Sequence, residues 1–328
     1  MKNKKLVYKF RGPFKEHCEK YIEYKKSLGY KFGKSSYYSL RYMDDFFIKY
    51  KIAKLILTKE MVYDYVAHRG TEAIKTQHMR MSLIRQFALF MNTLGFSFFV
   101  YPNELVRVKS DFVPYIFTEN EINKLYKIVD NLKFTPRSKK YHLIYPMLFR
   151  VLYSTGLRIT ETLKLKRDDI DLDKGIITIT NAKNNSSRFV PMSDSLVIYA
   201  KEYVKKIGFK SNYNSYFFPS RDGGRYNRHP VSMQFKKFMK EAGIYSEGEV
   251  APRLHDIRHT FSVHALEKMI SENKDVYTTL PILSVYLGHK DIESTEKYLR
   301  LTKESYQSII NKMAPSYNKI FPEGDQND

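Results

Sequence analysis

The first third of the chain is patterned as amphipathic helices. Apolar side chains fall on one face between residues 14 and 28, where Gly29 ends the pattern, and again between 71 and 94, where Gly95 ends it. The first face consists of Cys18, Tyr21, Ile22 and Leu28. The second consists of Ile74, Met81, Ile84, Ala88 and Met91. Both sets follow the helical period closely enough to predict helices that bury one side.

Two further helices are predicted between these from their cap residues. Ser35 or Ser36 can cap a helix that runs to about Tyr50, and Thr58 can cap one that runs to about His68. Serine and threonine hydroxyls favour this position because they accept hydrogen bonds from the first free backbone N–H groups of a helix. Four helices of this length joined by short links predict a small helical bundle.

Residues 101–117 interrupt the helical pattern. They contain two prolines, mixed charges and no 3.6-residue period, which is typical of an extended linker. Thr118 and Glu121 then form a T-x-x-E capping box, which predicts a helix to about Leu132. The predicted organisation is a helical domain at 1–100, a linker at 101–117, a second domain at 118–316 and a C-terminal tail at 317–328.

The second domain mixes helices with a short hairpin. The β-rich runs 176–180 and 188–192 flank the polar stretch NAKNNSS, a pattern that indicates a hairpin turn. An apolar helix at about 142–154, ended by Gly156, is predicted before the hairpin. Six helices are predicted after it, at about 193–207, 230–242, 255–270, 280–287, 292–299 and 303–313. The fold class expected for the whole chain is mostly α with a small β-sheet.

The composition excludes several classes of protein. With 43% hydrophobic residues in a chain of 328, wholesale disorder is excluded. The longest apolar and aromatic run, 96–101, is far shorter than the roughly 20 residues of a membrane span. The basic N-terminus is not followed by the apolar region of a secretory signal. Cys18 is the only cysteine, so an intrachain disulfide and a cysteine-rich zinc site are excluded. These observations predict a soluble protein of a reducing, cytoplasmic compartment.

The net charge indicates the kind of partner. Lys and Arg number 56 against 35 Asp and Glu, which leaves a charge of +21. Such a chain attracts polyanions, because each cation placed on a phosphate releases condensed counterions. Membrane surfaces attract the same charge, but the sequence has no basic amphipathic helix or lipidation motif, so no membrane partner is expected. Nucleic acid is the favoured partner, and a general lysine-rich bias of composition is the alternative that charge alone leaves open.

Three sequence blocks in the second domain carry candidate chemistry. They are STGLRITE, LHDIRHTF and LGHKDIESTEKYL, in this order along the chain. The candidate residues within them are Arg158, His255, Arg258, His289 and Tyr298. Lys183 lies between the first two blocks, in the predicted hairpin turn. The three-residue spacing of the histidine and arginine in LHDIRHTF places both on one face of a helix.

These six residues, with their order and flanking sequences, resemble the tyrosine recombinase (phage integrase) family over about residues 118–310. The resemblance implies the simple two-domain type, in which a SAM-like helical core-binding domain and an α+β catalytic domain form a clamp around duplex DNA. It implies site-specific recombination, in integration, excision or transposition, through a 3′-phosphotyrosine and without a metal or other cofactor. It also implies inverted half-sites and a homotetramer, and it is compatible with an accessory directionality protein.

The residue types suit this chemistry. A tyrosine hydroxyl can attack phosphorus and conserve the bond as phosphotyrosine, and guanidiniums can neutralise the charge that develops on the phosphate. The resemblance assigns Tyr298 as the nucleophile and Arg158 and Arg258 as the groups that bind the phosphate. It assigns Lys183 as the general acid, and His255 and His289 as an acid–base partner and a hydrogen-bond donor to the phosphate, respectively. Glu161 and Asp256 are interpreted as supporting residues that orient the arginines.

Other interpretations of these segments are less favoured. His255 and His259 are four residues apart, as in the zinc motif H-E-x-x-H, but Asp256 replaces the glutamate and no convincing third ligand follows. His259 is therefore interpreted as a packing residue beneath the site. Gly223 and Gly224 lack the neighbouring lysine and hydroxyl of a P-loop, so the use of ATP is unsupported.

Two rival functions and one structural question remain open. A non-catalytic DNA-binding protein of the same fold would have lost at least one of the six residues, and none is lost. A type IB topoisomerase would use the same chemistry but relax supercoils without site preference. Arg258 and His289 are 31 positions apart, a spacing that is long for the family and indicates an insertion. The predicted helix at 303–313 can dock on a neighbouring protomer or pack within its own chain.

Overall fold

The chain forms two compact units, within residues 1–112 and 113–328. The computed structural model describes residues 9–103, 113–136, 139–180, 187–209, 215–289, 291–299 and 301. Most of the predicted linker, Lys183 in the hairpin turn, the predicted helix at 303–313 and the tail lie outside these residues. No helix in the described part of the chain is long and apolar enough to cross a membrane.

The described part of the first unit contains four helices around an aromatic core. They are α1 (Lys15–Ser27), α2 (Lys34–Phe46), α3 (Lys59–Val66) and α4 (Ile74–Thr93). A 3-10 turn follows α2, and a short parallel pair joins β1 (Ile56–Leu57) to β2 (Ser97–Phe98). Phe14 lies in the centre, with its ring centroid 5.3–5.8 Å from those of Phe47, Phe87 and Phe98. These elements are held together chiefly by the burial of their apolar faces.

The predicted helices of this unit are observed, with local differences. Thr58 caps α3 as predicted. The second helix begins before Ser35 and Ser36, so the prediction that one of them caps it is wrong. Leu28 and Ile74, predicted on buried faces, are exposed because one follows the end of α1 and the other is the first residue of α4. Helix ends project beyond the neighbouring helices, and the 3.6-residue period alone does not show where that happens.

The second unit combines helices with a three-stranded antiparallel sheet. Its described helices are α5 (Glu119–Asp130), α6 (Tyr141–Thr155), α7 (Ile159–Thr162), α8 (Asp194–Ile207), α9 (Arg228–Glu241), α10 (Asp256–Ser271), α11 (Val276–Leu287) and α12 (Glu293–Leu299). The strands are β3 (Ile170–Asp171), β4 (Ile176–Ile179) and β5 (Arg188–Pro191), in the order β3-β4-β5. Ile177 of β4 pairs with Ile170 on one side and Val190 on the other. The predicted fold class, mostly α with a small sheet, is confirmed.

Local signals explain where the elements of this unit begin. The capping box is formed: Thr118 Oγ1 accepts from Glu121 N at 3.3 Å, and Glu121 Oε2 accepts from Thr118 N at 2.8 Å. α7 and β3 were not predicted, since four and two residues are too few to show a period. α11 begins about one turn earlier than predicted because Asp275 caps it, accepting from Thr278 N at 3.0 Å.

The two ends of the predicted linker are packed into cores. Tyr101 is buried in the apolar core of the first unit, and Phe117 in the larger core of the second.

In the second unit α6 is buried along most of its length, and it packs against α5, α8 and α10. It ends at Gly156, in the left-handed region at φ +58°. The chain then turns sharply into the segment that carries Arg158.

Replacing Gly156 with alanine is expected to lower the free energy of unfolding of the second unit by about 2–4 kcal/mol. The left-handed backbone disfavours any Cβ, and this Cβ would lie 2.3 Å from Cδ1 of the Phe261 ring. Gly208→Ala is the matched control: Gly208 also caps a helix, at φ +63°, but its Cβ would meet nothing within 4 Å. It should cost only about 1 kcal/mol in denaturant unfolding. Equal losses in the two variants would show that the Phe261 ring moves without cost.

Candidate active site

Two helices of the second unit end against the candidate arginines. α6 finishes at Gly156 and α11 at Gly288, both in the left-handed region. Arg258 donates to Gly156 O and to Leu287 O, each at 2.8 Å, and Arg158 donates to Gly288 O at 3.2 Å. The last carbonyls of a helix lack partners within the helix and carry partial negative charge. They therefore bring the two guanidiniums into the same site.

Glu161 links Arg158 to Arg188, a residue of the sheet. The carboxylate accepts from Arg158 NH1 at 3.0 Å and from Arg188 NH2 at 2.9 Å. Arg188 also donates from Nε to Tyr286 O on α11, at 2.9 Å. In the sequence Arg188 is recognisable only as the start of a predicted strand. Its contacts instead tie β5, α7 and α11 together beside Arg158.

Glu161 is expected to make the stability of the second unit depend on pH. Burial opposes its ionisation, but the hydrogen bond from Arg188 and the charges of Arg188 and Arg158 outweigh burial and lower the pKa of the carboxyl. A carboxyl whose pKa is lowered on folding stabilises the fold above its unfolded pKa of about 4.3, and this contribution is lost as the pH falls through the folded value. Glu161→Gln should therefore destabilise the unit by about 2 kcal/mol at pH 7.

The test is denaturant unfolding of wild type and Glu161→Gln at several pH values. The difference between them should shrink as the pH falls from 6 towards 3, because the wild-type carboxyl then also becomes neutral. Glu202→Gln is the matched control, since Glu202 pairs with Lys206 on an exposed helix surface. It should change stability by less than about 0.5 kcal/mol. A difference for Glu161→Gln that does not vary with pH would contradict the assignment.

His289 is oriented from both sides. Arg258 has no acceptor, so its NH2 must donate to His289 Nε2, at 3.0 Å. Nδ1 then carries the proton and donates to Thr295 Oγ1 at 2.8 Å. Burial, followed by the charges of Arg258 and Arg158, lowers the pKa of His289 to about 4, consistent with a neutral ring. In this arrangement Nε2 accepts a hydrogen bond, whereas the sequence analysis expected His289 to donate one to a phosphate.

Tyr298 lies inside the same site. It is 4% exposed and belongs to an apolar cluster formed mainly by α10 and α11. Its ring stacks beside that of His289 with centroids 6.1 Å apart, and its Oη is 3.2 Å from Nδ1 of His259. His259, interpreted from the sequence as a packing residue beneath the site, therefore contacts the candidate nucleophile directly. Its i+4 spacing from His255 is the only sequence signal for this residue, and in the sequence analysis that spacing is weighed only against a metal motif, which is rejected.

His255 and Asp256 begin helix α10. The His255 ring meets that of His259 edge-on at 4.8 Å, and burial, then the charges of His259 and Arg258, lowers the pKa of His255 to about 3. The sequence interpretation implied that Asp256 pairs with Arg258, but in the structure it pairs with Arg253 instead. It accepts from Arg253 NH2 at 2.9 Å and from Arg253 N at 2.7 Å, because it turns back over the residues that precede the helix.

The structure thus brings five of the six candidate residues together, and Lys183 lies outside the described residues. The five are Arg158, His255, Arg258, His289 and Tyr298. Within the described ranges, no group of three His, Cys, Asp or Glu side chains is arranged to hold a metal ion. A phenol, a buried guanidinium (Arg258), a half-buried one (Arg158) and neutral imidazoles in one site can supply a nucleophile, charge neutralisation and proton transfer.

Sequence comparisons show which known proteins the chain is similar to. The profile described as "Phage integrase family" matches residues 116–305. A protein of Sinorhizobium fredii described as an integrase/recombinase, y4rB, is 26% identical over 309 residues, which cover 92% of this chain and 96% of that protein. Tyrosine recombinase XerA of Pyrococcus furiosus is 28% identical over 202 residues, 61% of this chain and 62% of XerA.

Solved structures share the fold at lower identity. The post-cleavage complex of the XerH site-specific recombinase with palindromic difH substrate aligns with a TM-score of 0.63 and 18% identity, covering 83% of this chain and 76% of that one. The Tn1549 transposon integrase in complex with transposon right end DNA aligns with a TM-score of 0.61 and 15% identity, covering 91% and 99%. Both alignments extend over most of the chain, so the shared fold is not limited to the segment around the site.

Proposed function

The chain belongs to the phage integrase family, and from that premise we propose that it is a site-specific DNA recombinase whose nucleophile is Tyr298. The observation that carries the proposal is the contact chain from Arg258 through His289 to the Tyr298 ring, with Arg158 held beside it. A phosphate bound by the two guanidiniums would lie next to the tyrosine hydroxyl. The net charge of +21 supports duplex DNA as the source of that phosphate.

The reaction conserves the energy of the DNA backbone. Tyr298 Oη forms a bond to phosphorus, the bond from phosphorus to the 5′ oxygen breaks, and the DNA is left as a 3′-phosphotyrosine and a free 5′ hydroxyl. Lys183 protonates the departing 5′ oxygen. Rejoining reverses these steps with the 5′ hydroxyl of another strand as the nucleophile. No external energy source is needed, because one phosphate ester replaces another.

Arg158 and Arg258 stabilise the charge that develops on the phosphate oxygens. A guanidinium has five N–H donors, and the contacts described above use two from Arg158 and three from Arg258. Each therefore keeps donors for a phosphate while its position is fixed by the protein. Such preorganisation is effective because the donors are already aimed before charge develops.

The finer assignments follow the same proposal. The DNA site consists of inverted half-sites, and four copies of the chain assemble on two sites to exchange strands, in integration, excision or transposition. The segment 303–313 can dock on a neighbouring copy in that assembly or pack within its own chain, and the proposal is compatible with an accessory directionality protein. If removal of the residues after Leu301 left tetramer formation on DNA unchanged, docking by that segment would be wrong.

The test is to trap the covalent intermediate. Nicked duplexes tiled across the DNA that flanks the gene are incubated with the protein in EDTA, and adducts are separated under denaturing conditions. Peptide mass spectrometry is expected to place the DNA on Tyr298, and the duplex that reacts locates the cut. Specific binding without an adduct would instead indicate a non-catalytic DNA-binding protein. Relaxation of supercoiled plasmid without site preference would indicate a topoisomerase.

A further inference from the structure

His259 is the histidine that lies against the candidate nucleophile. Its Nδ1 is 3.2 Å from Tyr298 Oη, and the two ring centroids are 5.6 Å apart. This separation lies at the long end of the hydrogen-bond range. His259 is half-buried on α10, Tyr298 is buried on α12, and the two helices pack against each other. The contact is therefore held by the same packing that buries the tyrosine.

The other two histidines of the site, His289 and His255, have other partners. Both ring nitrogens of His289 have partners, Arg258 on one side and Thr295 on the other. His255 meets the ring of His259 edge-on. Among the described residues, the structure gives Tyr298 Oη no hydrogen-bond partner besides His259. Of the three imidazoles, His259 is the one within hydrogen-bond distance of the hydroxyl that must lose its proton.

We infer that His259 is the general base that accepts the proton of Tyr298, an inference that rests on the function proposed above. As Oη forms its bond to phosphorus, the hydroxyl proton moves to Nδ1 of His259. The bond from phosphorus to the 5′ oxygen breaks, and that oxygen takes a proton from Lys183. On rejoining, the attacking 5′ hydroxyl gives its proton back to Lys183 and displaces Oη, which takes back its proton from His259. Each cycle leaves both side chains as they began.

The surroundings of His259 suit a base that must be neutral before the reaction. Burial lowers its pKa to about 4, so that at pH 7 the ring is neutral and one of its two nitrogens can accept a proton, although the same shift makes the ring a weaker base. Asp256 acts in the opposite direction and favours the imidazolium once it forms, while Arg253 and Arg258 disfavour it. A DNA phosphate beside Arg258 offsets part of that positive charge. The titratable and charged groups around the ring are Arg253, His255, Asp256 and Arg258 of its own segment and Tyr298 of α12.

The experiment compares His259→Ala and His259→Gln with the wild-type protein on the duplex identified by adduct mapping. The glutamine can accept a hydrogen bond but cannot hold the proton. Both variants are expected to form the adduct about 10²–10³-fold more slowly while binding the duplex within about twofold of wild type. His264→Ala is the matched control, because His264 lies on the same helix but contacts Tyr153 at 2.9 Å. It should cleave within about twofold of wild type.

Two further readouts separate a base from an acid or a packing residue. A 5′-bridging phosphorothiolate duplex, whose sulfur leaves without protonation, should restore cleavage by Lys183→Ala but not by His259→Ala. The rate of His259→Ala should rise about tenfold per pH unit above pH 7, because hydroxide must then remove the proton, and added imidazole should restore part of it.

Each contrary outcome overturns the assignment. Adduct formation by both variants within about threefold of wild type would show that His259 is not needed. Restoration of His259→Ala by the 5′ sulfur would make His259 part of leaving-group protonation instead. Parallel losses of DNA binding and cleavage in both variants would assign it a structural role. Specific DNA binding by the wild-type protein without any adduct would overturn the proposed recombinase function itself, whereas normal wild-type adducts with unaffected variants would overturn only the role of His259.

Discussion

Tyr298→Phe is expected to abolish the covalent adduct, with cleavage reduced by at least about 10⁴-fold, equivalent to about 5.5 kcal/mol of activation free energy. Phenylalanine has no oxygen to attack phosphorus, so no weaker version of the same step is available. The ring itself should stay in the apolar cluster that it shares with Val263, Leu266 and Leu283. Loss of the single hydrogen bond to His259 should change stability by only about 1 kcal/mol.

The measurement pairs denaturing gels for the adduct with gel shifts for DNA binding, both in EDTA. Binding by Tyr298→Phe should match wild type, which separates loss of the nucleophile from loss of folding. Tyr286→Phe is the matched control, because Tyr286 stacks on Phe261 in the same cluster and its hydrogen bond with Arg188 is made by the backbone carbonyl, which the substitution keeps. That variant should keep the adduct. An adduct formed by Tyr298→Phe would show that another side chain is the nucleophile.

Arg258→Ala is expected to have the second-largest effect, lowering cleavage by about 10³-fold and stability by about 3 kcal/mol. The guanidinium is 3% exposed and donates to two main-chain carbonyls, Gly156 O and Leu287 O. Removing it leaves both carbonyls buried without that donor and frees the ring of His289 to turn. Arg258→Lys keeps the charge but loses the planar set of guanidinium donors. Cleavage is therefore expected to fall by about 10²-fold even though stability partly recovers.

Cleavage by these variants is compared at a temperature where circular dichroism shows each to be folded. Arg150→Ala is the control for stability, because Arg150 pairs with Asp130 at 2.7 Å and stacks on Tyr126 and Tyr199, none of them in the site. It should lower stability by about 1–2 kcal/mol and leave cleavage of the folded protein unchanged. Retention of more than about a tenth of wild-type cleavage by folded Arg258→Ala would contradict a role in binding the phosphate.

The sequence alone was sufficient to predict those elements of the fold whose signal is local. The capping box at Thr118 and the cap at Thr58 are recognisable because the donor and acceptor lie within three residues of each other. The longer helices show enough turns for their period to be read. The parallel pair of β1 and β2 was missed because two-residue strands about 40 residues apart have no signature of their own. α7 was missed because its four residues are too few to show a helical period.

The candidate residues could be identified from the sequence, but the side chains that they contact could not. Asp256 lies three residues after Arg253 and two before Arg258, and sequence spacing does not decide between them. Arg188 acquires its importance only when Glu161, 27 residues before it, and Tyr286, 98 residues after it, fold against it. The contact of His259 with Tyr298 likewise depends on how α12 docks on α10. Such contacts are set by tertiary packing rather than by local pattern.

The glycine-ended helices described above also determine when the protein becomes able to break DNA. The bonds from the arginines to the ends of α6 and α11 join residues 102 and 130 positions apart. Contacts of such long range form late in folding, after the intervening chain has been ordered. Because synthesis proceeds from the N-terminus, a nascent chain contains α6 and Arg158 well before α11 and α12, which carry Gly288 and Tyr298, have been made. The site proposed for strand cleavage is therefore incomplete until translation has passed α12.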